Sequence, residues 1–144
     1  MKNLIKISSI LLILFSTSCT TPYQKQTWYA YRGGYSEKKL EDNRFLVTFN
    51  GNGWTDSRKI SDFALRRSAE VTLENGFKYF KIEKNSNEKI RQPAYGTGLA
   101  GIMAGQLIPK PSTSHVIICY KKGPYVSEEI YDAQQVVEQI KNEY

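Results

Sequence analysis

Residues 44–76, RFLVTFNGNGWTDSRKISDFALRRSAEVTLENG, decide the fold. Arg44 to Asn50 alternates, with Phe45, Val47 and Phe49 on one face, as a half-buried strand does. Gly51-Asn52-Gly53 then makes a turn that favours positive backbone angles. A helix is expected from Thr55 or Asp56, whose side-chain oxygens can accept from the free amides of a first turn. Along it Ile60, Phe63, Ala64, Ser68 and Val71 share one side, Lys59, Arg66, Glu70 and Glu74 take the wetter sides, and Asn75-Gly76 stops it. A helix of about 20 residues between two strands permits a parallel, right-handed crossover.

Downstream, Phe77 to Lys84 reads as a second strand, with Phe80 and Ile82 on one face and Phe77 and Tyr79 on the other. Asn85 to Ser114 is expected to be a long irregular connection, beyond the usual loop length and therefore either mobile or functional, with a flexible Gly-rich loop near 94–112. His115 to Lys121 makes a third strand whose unbroken apolar centre suggests burial on both faces. After Gly123-Pro124, Asp132 can cap a last helix lined by Ala133, Val136, Val137 and Ile140. The expected fold is a small α+β two-layer sandwich in β-α-β-β-α order, a three-stranded sheet with two helices.

Upstream, Lys2 and Lys6 precede an apolar run through Ile7, Ile10, Leu11, Leu12, Ile13, Leu14 and Phe15, the charge-then-apolar order of a secretory signal. That run is too short to span a bilayer, which takes roughly 20 apolar residues. It ends in Ser16-Thr17-Ser18-Cys19, small residues ahead of a cysteine, as a lipoprotein peptidase requires. Residues 1–18 are therefore read as a lipoprotein signal and Cys19 as the lipid attachment site. Two or more acyl chains anchor a protein stably where one does so only marginally. Thr20 follows the cysteine in place of the aspartate that retains lipoproteins at the inner membrane, so the expected location is the outer membrane, facing the periplasm.

Removing 18 residues from 144 leaves 126, enough for one domain, and the loss of Lys2 and Lys6 takes the net charge from +6 to +4. So mild a charge on an exported chain argues against nucleic acid as a partner. Residues 19–43 are read as a lipidated, aromatic-rich tether and 44–144 as the single domain. The tether's Trp28, Tyr29, Tyr31 and Tyr35 either pack on the domain or offer a stacking surface to a partner.

Several motifs recur together in this order: Thr21-Pro22-Tyr23-Gln24 after the cysteine, Gly33-Gly34-Tyr35-Ser36-Glu37, Phe49-Asn50-Gly51-Asn52-Gly53 with Thr55, and Leu65, Arg67, Ala69 and Glu70 ahead of Gly76. From Cys19 to about Ile82 the chain resembles a family of small, uncharacterised Gram-negative envelope lipoproteins. The resemblance implies location and a shared domain, and no biochemical activity.

Few residues suggest catalysis. Cys119 has no second thiol once Cys19 is acylated, and lies in an apolar run as an inert buried thiol would. The sole histidine, His115, lies four residues earlier on the same strand, about 13 Å away at roughly 3.3 Å per residue, too far for a Cys-His pair. Gly96-Thr97-Gly98-Leu99-Ala100-Gly101 lacks the strand immediately before it that a dinucleotide site needs. Leu99 within that string and Ile102 just after it suggest instead an apolar loop that touches lipid or a protein. Arg67 and Glu70, one turn apart, are expected to form a structural pair, although with Asp62 they could be imagined as an acid-base set. No metal-ligand spacing and no cofactor motif is present. The chain is thus expected to be a non-enzymatic binding or scaffolding module whose partner is an envelope protein or a cell-wall polymer. The alternative is an envelope hydrolase acting on peptidoglycan or a related polymer.

Overall fold

The computed structural model describes residues 20–27, 33–93, 107–123 and 129–144. In chain order the elements are strand β1 (Gly34–Glu41), strand β2 (Arg44–Asn50), helix α1 (Ser57–Glu74), strand β3 (Tyr79–Pro93), strand β4 (Leu107–Tyr120), strand β5 (Tyr131–Asp132) and helix α2 (Ala133–Glu143). The strands form one antiparallel sheet in the order β1-β2-β4-β3-β5. Both β2 and β3 run antiparallel to β4, which lies between them. They therefore point the same way, and β2-α1-β3 is a crossover with one strand inserted.

The helix ends follow local chemistry. Asp56 is extended and its carboxylate accepts from the Arg58 amide at 2.6 Å, which starts α1. At the other end Gly76 takes φ +77, so that its amide reaches Leu73 O at 3.0 Å while the Phe77 amide reaches Thr72 O at 3.0 Å. Asp132 starts α2 in the same manner as Asp56, accepting from Gln135 N at 3.1 Å. Ile60, Phe63, Ala64, Ser68 and Val71 are all buried, as their spacing requires.

Both helices lie on one face of the sheet. Phe45, Val47, Phe80, Ile117 and Cys119 from the strands pack there with Ala69 and Val71 of α1 and Ala133 and Val137 of α2. Phe49 joins Ile60, Phe63, Ala64 and Ile140 in the adjoining half of the core. Burial of these apolar groups contributes about 25 cal/mol per Å² removed from water and is the main force holding the layers together.

The α+β class and the two helices stand, but the sheet has five strands where three were expected. One extra strand, β1, falls in the stretch read as tether. Its sequence GYSEKKLE has no hydrophobic alternation, because an edge strand carries charges that discourage further pairing. The other, β5, has two residues, too few for any periodic signal. The long connection is also largely strand: β3 continues to Pro93 and β4 begins at Leu107, paired throughout from Asn85↔His115 to Pro93↔Leu107. Pro109 and Pro111 are no obstacle to β4. They lie beyond Ser112, where β2 stops pairing with β4, so the ladder on that side needs no amide from them. Nor is β4 buried on both faces. His115, Ile117 and Cys119 are buried, while Val116, Ile118 and Tyr120 on the helix-free face are only half so.

Candidate functional site

The residues just after Cys19 are built into the domain. Thr21 is 0% exposed. Its amide donates to Thr55 Oγ1 at 2.8 Å, its hydroxyl meets the same oxygen at 2.8 Å, and the Asn52 amide donates to that hydroxyl at 2.8 Å. Thr55 Oγ1 also donates to Asn52 Oδ1 at 2.7 Å, which closes a polar knot under the β2-α1 turn. The next few residues run beside β1: Tyr35 N donates to Gln24 O and Gln26 N to Tyr35 O, each at 2.8 Å. Two glycines permit this crowding. A Cβ on Gly33 would stand 2.1 Å from Asn50 O, and one on Gly34 would stand 2.5 Å from Gln24 O.

Tyr23 and Tyr35 are then clasped by two consecutive arginines of α1. The rings lie 5.2 Å apart, Arg66 sits 3.9 Å over Tyr23 and Arg67 4.5 Å over Tyr35. Three glutamates complete the cluster. Arg67 binds Glu74 through both terminal nitrogens at 2.8 and 2.9 Å and Glu70 Oε2 at 3.2 Å. Its Nε faces Glu37 Oε2 at 3.4 Å. Glu70 Oε1 accepts from Arg66 Nε at 2.9 Å, and Glu70 Oε2 also accepts from the Tyr23 hydroxyl.

These contacts fix the protonation states. Burial would raise Glu70, but donation from Tyr23, Arg66 and Arg67 outweighs it and holds the carboxyl below its usual range. Burial would lower Arg67, yet Glu74, Glu37 and Glu70 together raise it. Burial, and then the bond to Glu70, pushes the Tyr23 hydroxyl up. A carboxylate held ionised with donors on both oxygens is poorly suited to take or give a proton near neutrality. The cluster's chemistry is that of a clasp joining the N-terminal segment, the edge strand and the helix.

Arg67 and Glu70 therefore do form the expected pair. Asp62 does not join them, since its carboxylate accepts from Tyr144 at 2.7 Å. Tyr35 is half-buried beneath Arg67 and beside Tyr23, so its ring is taken up by the fold. Cys19, Trp28, Tyr29, Tyr31, Leu99 and Ile102 lie outside the described residues, as does the Gly96 to Gly101 string. The sequence reading missed Tyr23, Glu37, Asn52 and Thr55 as site residues, although all four stand in the motifs behind the family resemblance. Among the described residues no group of three or more His, Cys, Asp or Glu is placed to hold a metal ion, and no helix is long and apolar enough to cross a membrane.

A second polar group lies inside the core. His115 Nδ1 meets Ser68 Oγ at 3.1 Å and Cys119 Sγ meets Thr72 Oγ1 at 3.4 Å, so each takes its own partner on α1. Burial pushes the Cys119 thiol up, away from the reactive thiolate. Burial also pushes His115 down to about 4. Above about pH 6.5 the imidazole is neutral in both the folded and the unfolded chain, and its contribution to stability is complete. Between pH 6.5 and 4 the unfolded chain takes up a proton that the folded one excludes, so stability falls as pH falls, and the loss levels off below about 4. The expected loss from pH 7 to pH 4.5 is about 2–3 kcal/mol, read from urea midpoints. His115→Gln should lose less stability than the wild type over that interval. Parallel curves would show that this histidine titrates normally.

The chain matches no family model, no curated protein and no solved structure.

Proposed function

We propose that the chain is an envelope lipoprotein, anchored by acyl chains on Cys19 to the outer membrane and facing the periplasm, and that it works as a binding or scaffolding module. The observation that carries this reading is the burial of Thr21. Ordered packing reaches to within two residues of the cysteine that ends the apolar leader, so an acylated Cys19 would be coupled directly to the domain. The Arg67 clasp supports the non-enzymatic side of the reading, because its carboxylates are engaged by arginine and tyrosine.

The surface offered to a partner is the sheet face that bears no helix. Cross-strand pairs there place Leu46 beside Val116 and Lys38, and Ile118 beside Arg44 and Lys81. Thr48 bonds Ser114 at 3.0 Å in the next row. Among the described residues no element packs on this face, and Leu40 at its edge is 42% exposed. An apolar centre rimmed by Lys38, Lys81 and an Arg44 already paired with Glu41 and Glu83 suits an envelope protein or a cell-wall polymer that offers apolar contact with mixed polar groups around it.

Two measurements test the reading. Palmitate should label the wild type and not Cys19→Ser, and label that persists on the serine variant would sink the anchor. A photoreactive residue placed at Leu46 or Val116 in cells should give adducts that the same residue at exposed Gln134 of α2 does not. Adducts from Gln134 alone would move the binding surface to the helices.

A further inference from the structure

We propose that Trp54 is a membrane-contacting foot, which sets the domain directly on the lipid headgroup layer of its own leaflet in a fixed orientation. The inference deepens the anchor reading above and rests on acylation of Cys19.

The turn between β2 and α1 holds the N-terminal segment and also presents this tryptophan. Thr21 is wholly buried, and its partners are Asn52 and Thr55. Trp54 stands between those two in sequence, and its amide donates to Asn52 Oδ1 at 3.0 Å, so its backbone belongs to the same knot. Its side chain nevertheless is 79% exposed, the most open of the large apolar side chains among the described residues. A core function is therefore ruled out for it. Gly53 beside it is exposed, as is Arg58 in the first turn of α1.

Geometry sets how far this turn can lie from lipid. Thr21 is two residues after Cys19, and two extended residue steps span at most about 7 Å. That is far less than the width of the domain, so a thioether-linked lipid at Cys19 brings the membrane surface close to the Asn52–Thr55 turn that holds Thr21. Tryptophan favours the boundary between headgroups and acyl chains, where its ring is dehydrated and its indole N–H keeps a polar partner. Exposed Arg58, four residues further along the chain, suits lipid phosphates, while exposed Asp56 between the two opposes an anionic surface. Exposed tryptophan and short leash are independent observations that name the same occupant.

Fluorescence tests this directly, because Trp28 and Trp54 are the only tryptophans. The full acylated protein carrying Trp28→Phe is reconstituted into vesicles of phosphatidylethanolamine and phosphatidylglycerol, with or without brominated acyl chains. Mass spectrometry of the same sample reports acylation of Cys19. The expected result is a blue-shifted Trp54 emission that loses most of its intensity with brominated lipid. The difference between wild type and Trp54→Phe gives the same reading without altering Trp28. An acylated protein whose Trp54 emits as in water, unquenched, would overturn the foot and leave the anchor standing. A protein without acyl chains would overturn both. A water-like Trp54 that crosslinks to an envelope protein would give the side chain to that partner and overturn the lipid assignment.

Discussion

Arg67→Met should lower the unfolding free energy by about 3 kcal/mol, the low end of what removing one partner of a buried ionic cluster costs. The guanidinium is almost wholly enclosed and touches Glu37, Glu70 and Glu74 at once. Without it, Glu70 keeps Arg66 and the Tyr23 hydroxyl, but Glu37 Oε2, which is buried and has no hydrogen bond of its own, loses the charge that faces it. Glu74 is more than half exposed and can turn to water, which keeps the loss from being larger. Lysine should rescue little, since one ammonium cannot reproduce a planar fork that binds Glu74 through two nitrogens and stacks on Tyr35. Urea midpoints measure this. A drop for Arg67→Met no larger than that for Glu74→Gln, expected to be under about 1 kcal/mol, would mean that the clasp contributes nothing beyond a surface ion pair.

Phe49→Ala is expected to cost about 3–5 kcal/mol, as deletion of a fully buried phenylalanine ring does. Phe49 is 0% exposed, 5.2 Å from Phe63 and stacked 6.0 Å from Tyr23. Its loss removes the floor on which Tyr23 rests and leaves a cavity that α1, held by Ile60 and Ala64, cannot fill. A local effect should accompany the global one. Lys25, whose side chain is 71% exposed, is held near β1 by the Gln24 to Gln26 contacts, and trypsin should cut there faster in the variant than in the wild type at equal denaturant. Trp54→Ala is the contrast, because the removal of so open a side chain should change stability by no more than about 0.5 kcal/mol. A Phe49→Ala variant as stable as Trp54→Ala would contradict the packing described.

The part of the fold that was legible in the sequence is the part where one face is wet and the other dry. Phe45, Val47 and Phe49 announced β2, and Ile60, Phe63, Ala64, Ser68 and Val71 announced α1, because burial on one side writes a period into the chain. The Asp56 and Asp132 caps and the Gly76 stop were legible for a related reason, since local amides and a positive φ demand particular residue types. The edge strand β1 was not. Tyr35 and Glu37 point to the helix layer, but they are held there by arginine and a second tyrosine, and a strand stabilised by charge and stacking carries no apolar alternation. The polar ribbon of β3 and β4 was missed because its pairing depends on backbone hydrogen bonds between residues far apart in the chain. Of the site, the Arg67 and Glu70 pair was visible from helical spacing, while Glu37 and Tyr23, 33 and 47 residues from Glu70, became neighbours only through the docking of β1 and the N-terminal segment.

Ser68 and Thr72 meet His115 and Cys119, and both pairs are spaced by four residues. Four residues advance a helix by about 6 Å and a strand by about 13 Å. The two rulings differ in pitch and behave like a vernier, so both marks coincide at a single setting. A slip of α1 by one turn would satisfy only one of the two, with Thr72 moved opposite His115 or Ser68 opposite Cys119, and would leave the other polar atom facing Gly76 or Ala64 without an oxygen. Greasy contacts alone would tolerate such a slip. The buried polar atoms remove that freedom, and with it the latitude of the Asn52–Thr55 turn that leads into the helix.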